Sequence, residues 1–81
     1  MPRPLSFQQI QAFRAVVLSG TTVAAARMLN TTQPSISRLV AQAQSAAGLK
    51  LFVTERGRLQ LTREGRHLFE TVQQHFQGLE K

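Results

Sequence analysis

Apolar residues recur along this chain three and four apart, interrupted once by a short stretch in which they alternate, so helices are predicted around one small hairpin. Phe7, Ile10, Phe13 and Val17 form the first helical stripe, continuing to about Ser19, and Ser6 with Gln9 has the spacing of a capping box at its start. Gly20 suits a left-handed C-terminal cap. Thr21 or Thr22 then caps a second, short helix over Val23 to Leu29. Its successive alanines, Ala24, Ala25 and Ala26, favour helix and let a neighbouring helix pack close to the backbone. Ahead of all this, Met1 to Leu5 carries Pro2 and Pro4 and is expected to be an extended arm.

The third helix organises the rest. Thr32 is placed to cap it, Pro34 falls in its first turn where a missing N–H costs nothing, and it is expected over about 32–47 with Gly48 closing it. Ile36, Leu39, Val40 and Ala43 give it one face to bury. The opposite face carries Pro34, Ser37, Arg38, Ala41 and Ser45: short or polar side chains, one long cation and no acid. Solvated helix surfaces usually mix both signs of charge, whereas this face suits close approach to something negative. With only Asn30-Thr31 between them, the second and third helices have the sequence form of a helix-turn-helix, a spacing that any helical hairpin shares.

The alternating stretch follows. Leu51-Phe52-Val53 and Leu59-Gln60-Leu61 flank a glycine-bearing tip, Thr54 to Arg58, which reads as a β-hairpin. Arg56 and Arg58 make the tip basic, so about 54–58 is a candidate wing for phosphates or a minor groove; the alternative is a solvated turn. Thr62 then caps a last helix with Glu64 in its first turn. Its stripe of Phe69, Val72, Phe76 and Leu79 alternates three and four apart as in a coiled-coil seam, and we expect it to pair with a second copy. The alternative is that only its first half packs, on helix one. The division expected is 1–61 as the binding domain and 62–81 as a linker and dimerisation helix, the chain being the front piece of a longer protein.

Composition narrows the function. Eighty-one residues make one small domain that buries roughly 60–65% of its unfolded surface, leaving little room for a catalytic cavity. Ten Lys and Arg against four acids leave a net charge of +6, which attracts nucleic acid, an anionic membrane or an acidic protein. There is no cysteine, so disulfides and thiolate metal sites are excluded. His67 and His75 lie eight apart on the last helix, short of the four ligands a zinc site wants, and Glu55, Glu64, Glu70 and Glu80 include no catalytic pair. An enzyme is the least supported class, and no catalytic residue, metal or cofactor is expected. No apolar run reaches the ~18 residues of a membrane span and no signal peptide is evident, so a cytoplasmic protein with no membrane partner is expected.

These features lead to a recognition helix laid in a groove of double-stranded DNA. Gln33 offers both a donor and an acceptor, the pair that suits adenine in the major groove. Pro34 suits a thymine methyl, and Arg38 suits guanine or a phosphate. Ser35, Ser37 and the backbone N–H groups at the helix start suit phosphates. A dimer would set two such helices in successive major grooves, so its site should be an interrupted palindrome. Non-specific nucleic-acid binding and a basic helical module for an acidic protein remain as alternatives.

Phe13, Gly20, Ala25-Ala26, Leu29, Thr32-Gln33-Pro34, Ile36-Ser37-Arg38, Gly48, Leu51-Phe52, Gly57 and Leu61-Thr62 with Gly65 together resemble the DNA-binding domain of LysR-type transcriptional regulators. The runs GLKLF, RGRL and LF-TVQ look most like the founding lysine-biosynthesis regulator and the opine-catabolism regulators. The resemblance implies a winged helix-turn-helix, a long linker helix that joins two copies as a homodimer, and a C-terminal domain, absent here, that senses a small-molecule effector. By position it makes Gln33, Pro34, Ser37 and Arg38 groove-facing, and makes Thr21 and Thr32 hydroxyls that cap helices and reach phosphate. Ala43-Gln44 stands where the family usually has Leu-Glu, and Thr54 where it usually has arginine. Thr22 and Thr31 stand at usually apolar positions.

Overall fold

Each of the first three helices begins where the sequence offers a hydroxyl to its orphan amides. The structure, a computed structural model, describes residues 4–56 and 58–79, with side chains to His75. Most of the expected N-terminal arm, Gly57, and the side chains of Phe76 and Leu79 therefore lie outside the described residues. Two compact units are formed, Met1–Leu49 and Lys50–Lys81.

In the first unit, α1 spans Phe7–Ser19, α2 Thr22–Met28 and α3 Gln33–Ala47. The capping box of α1 is complete: Ser6 Oγ accepts from Gln9 N at 3.1 Å, and Ser6 N donates to Gln9 Oε1 at 3.0 Å. Gly20 closes the helix at φ 92°, a conformation that costs an L side chain dearly. Thr21, and not Thr22, caps α2, accepting from Ala24 N at 3.0 Å. Leu29, expected inside that helix, is its C-cap, and Asn30 makes the tight connection to α3 at φ 56°. Thr32 caps α3 with Pro34 in the first turn, and Gly48 ends it at φ 69°.

The core of this unit is small-chained. Phe13, Val16 and Ile36 are its large members, each worth roughly 1.5–3 kcal/mol when buried, and around them sit Ala12, Ala15, Ala25, Ala26, Ala43 and Ala46. All three helices pack on one another around this centre. Two expectations shift here. Phe7 is 60% exposed, because the inward face of α1 runs through Ala12, Phe13, Ala15 and Val16, rotated from the stripe of large residues. On α3, Leu39 and Val40 are only half-buried while Ala46 is inside, since close neighbours leave room for a methyl group but not for a branched chain.

In the second unit, β1 spans Phe52–Glu55, β2 Arg58–Leu61 and α4 Arg63–Leu79. The strands pair antiparallel in the register Phe52↔Leu61 to Glu55↔Arg58. Thr54, Glu55 and Arg58, expected in the tip, are therefore strand residues, and only positions 56–57 connect the strands. Arg56 takes φ 52°, as the first residue of a primed two-residue turn does. Thr62 joins strand to helix: its Oγ1 donates to Lys50 O at 2.6 Å and accepts from Gly65 N at 2.9 Å, while its N donates to Leu51 O at 3.0 Å. Gly65 is buried against this knot, and a Cβ there would run into the carbonyl oxygen of Leu51. The result is mainly α with one small hairpin, in the element order expected.

Candidate nucleic-acid interface

The start of α3 gathers most of the residues singled out for binding. Thr32 accepts from Ser35 N at 3.3 Å, and its own hydroxyl donates to Ser35 Oγ at 2.9 Å. Gln33 and Pro34 stand exposed in that first turn, which contains no acidic residue. The turn thus presents amides and hydroxyls under the positive end of the helix dipole with nothing of its own to neutralise them, the chemistry that favours an anion.

Gln33 is held. Its Nε2 donates to Ser37 Oγ at 2.8 Å, one turn along the same helix, and to Thr22 Oγ1 at 3.1 Å on α2. Ser37 is half-buried and committed to this contact, keeping its own hydroxyl hydrogen for a further acceptor. Pro34, Arg38, Ala41 and Ser45 are exposed along α3, as the polar-face pattern predicts. Arg38 looks elsewhere than Gln33: with Gln8, Gln11, Thr31, Ser35 and Gln42 it lines an open groove of about 480 Å³. Thr21 is exposed, its oxygen used by the cap and its hydrogen available.

In the second unit Arg56 and Arg58 are both exposed, but they differ. Arg58 sits on β2 directly opposite Glu55, whereas Arg56 lies in the turn, outside the strand ladder. On α4, Val72 is 4% exposed and Phe69 half-buried. His67 and His75 are both exposed, and no group of three potential metal ligands converges among the described residues. No described helix is long and apolar enough to cross a membrane. Thr22, which the sequence pattern does not single out for binding, reaches the same cluster through its hydrogen bond to Gln33; its signal in the sequence is a hydroxyl at a position where helix two would ordinarily carry an apolar group.

Residues 7–66 match the bacterial regulatory helix-turn-helix proteins of the lysR family. The chain belongs to the LysR family. Among its relatives, the transcriptional activator protein LysR of Escherichia coli K12 is 42% identical over 77 residues, covering 95% of this chain and 25% of that protein. The octopine catabolism/uptake operon regulatory protein OccR of Rhizobium meliloti is 40% identical over 75 residues, 93% of this chain and 25% of that protein. The expected likeness to an opine-catabolism regulator is met there. The crystal structure of the CbnR DBD–DNA complex superposes with a TM-score of 0.82 at 27% identity, over 93% of this chain and 86% of that one. This LysR-family chain has the winged helix-turn-helix fold, and it spans about a quarter of the length of the curated relatives it matches.

Proposed function

We propose that this chain is the sequence-specific, double-stranded DNA-binding domain of a LysR-type transcriptional regulator, with α3 as the recognition helix in the major groove. One observation carries the reading: the acid-free first turn of α3, exposed and capped by Thr32, with Gln33 held in place at its tip. Gln33 and Pro34 meet base edges, and Arg38 meets a guanine or a phosphate from the adjoining groove. Ser35, Ser37 and Thr21 anchor on phosphates with their remaining hydroxyl hydrogens, while Thr32, whose own hydrogen goes to Ser35 Oγ, caps the turn whose backbone N–H groups face the same phosphates. Of the two wing arginines, Arg56 is the better ligand for phosphates or the minor groove, because Glu55 stands opposite Arg58 and offsets its charge.

The protein works as a homodimer on an interrupted palindrome. The seam is the stripe on α4 of Phe69, Val72, Phe76 and Leu79. A small-molecule effector acts through an effector-binding domain of the regulator, and this DNA-binding domain itself takes no cofactor. The net charge of +6 supports the electrostatic part of the reading.

Selection of bound duplexes from a random library at near-physiological salt tests the reading. An interrupted palindrome is expected. Gln33→Ala should erase preference at one base position in each half-site, by about 1–3 kcal/mol. Equal weakening on every sequence would make this a non-specific binder, and no retention at low salt would point to a protein partner instead. Phe76→Glu should lower self-association in sedimentation, because a charge in an apolar seam has no partner. Unchanged sedimentation would move the dimer elsewhere.

A further inference from the structure

A primary amide has two N–H hydrogens and one carbonyl oxygen. In Gln33 both hydrogens are used inside the protein, one on Ser37 Oγ at 2.8 Å and one on Thr22 Oγ1 at 3.1 Å. The part of the side chain left to meet a ligand is Oε1, an acceptor only. The two anchors differ in kind. Ser37 lies four residues along the same helix, whereas Thr22 is the first residue of α2, eleven positions earlier. That second anchor fixes the amide across the helix-turn-helix rather than along α3 alone. It also stands where the family resemblance places an apolar residue, which could not hold Nε2.

We propose that Thr22 is a positioning residue that sets base specificity: by holding Nε2 of Gln33, it turns a donor–acceptor amide into an acceptor that selects a base offering a donor. The proposal rests on the DNA-binding reading above. In the major groove adenine offers N6–H and cytosine N4–H, whereas guanine and thymine offer only acceptors at the corresponding positions. A free glutamine would take adenine through two bonds, donating to N7 and accepting from N6. The tied Gln33 makes only the second of these, and cytosine satisfies it equally. The half-site position read by Gln33 therefore accepts adenine or cytosine and rejects guanine and thymine.

The test measures affinity for four duplexes that differ only at that position, itself located as the one whose preference disappears in Gln33→Ala. Wild type should bind the adenine and cytosine duplexes within about threefold of each other, and the other two at least about tenfold more weakly. Thr22→Val keeps the branched shape and removes the acceptor. It should raise the adenine-to-cytosine ratio by about tenfold, since the released hydrogen can reach N7. Thr22→Ser restores an acceptor and should return the wild-type ratio. Because the readout is a ratio within one variant, a general loss of stability does not move it.

A wild type that already prefers adenine to cytosine as strongly as Thr22→Val does would overturn the proposal. So would a preference for guanine or thymine, which would mean that the amide presents its N–H groups outward. Equal weakening on all four duplexes by Thr22→Val would reduce Thr22 to a structural role. If wild type binds none of the duplexes even at low salt, the DNA reading falls and takes this proposal with it, an outcome distinguished by the loss of binding itself.

Discussion

Helices α3 and α4 both start on a threonine whose Oγ1 accepts from an amide in the first turn, Ser35 N at 3.3 Å in one and Gly65 N at 2.9 Å in the other. Around these similar caps the chemistry diverges. In α4 the threonine hydroxyl also donates to Lys50 O, Gly65 is buried, and Glu64 sits in the first turn to complement the helix dipole. Its start is closed on itself. In α3 the cap is exposed and, among the described residues, the Thr32 hydroxyl is partnered by a neighbouring serine alone, with no acid in the first turn to answer the dipole. One helix start serves the fold, and the other is left for a ligand.

The largest effect that sharpens this contrast belongs to the closed start. Gly65→Ala should lower stability by about 2–3 kcal/mol in urea unfolding, because its Cβ would collide with the Leu51 carbonyl oxygen and crowd a Leu61 methyl. An unchanged midpoint would mean that strand and helix can separate there without loss.

Next comes a change that gives α3 what α4 has. Ser35→Glu would place an acid at the third position after Thr32, completing a capping box, and should stabilise the fold by about 0.5 kcal/mol. On the proposed reading the same charge would face phosphates on DNA, so affinity should fall by about tenfold or more. Opposite signs in melting and binding would separate a structural start from a binding one; matching signs would remove the distinction. The smallest effect is the reciprocal change. Glu64→Gln should cost about 0.3–1 kcal/mol in low-salt unfolding and leave DNA affinity unaltered.

Helix starts and stops were readable from the sequence because they are local. Ser6 with Gln9, Thr32 with Pro34, and the glycines at 20 and 48 each act within a turn of themselves. The faces were less readable. Phe7 outweighs Ala12 and Ala15 in any hydrophobic pattern, yet the neighbours on α1 come close enough that methyl groups fill the space and the phenyl ring stays outside. The strands extended past their expected ends for a similar reason, since pairing Glu55 with Arg58 depends on the partner strand and not on alternation. Within the candidate site, Gln33 was evident as a residue type suited to a base edge, but its tether to Thr22 spans eleven residues and exists only once α2 and α3 are folded together.

The alanine-filled centre of the first unit has a consequence for how such a domain changes over evolutionary time. Ala25, Ala26, Ala43 and Ala46 are 0–5% exposed, so almost any replacement there enlarges a side chain and pushes helices apart. Gln33, Pro34 and Arg38 face outward, where replacements leave that packing alone. The inside of this domain is mutationally rigid while the exposed face of α3 is free to drift, so on the proposed reading descendants can acquire new operators one surface residue at a time without having to rebuild the frame.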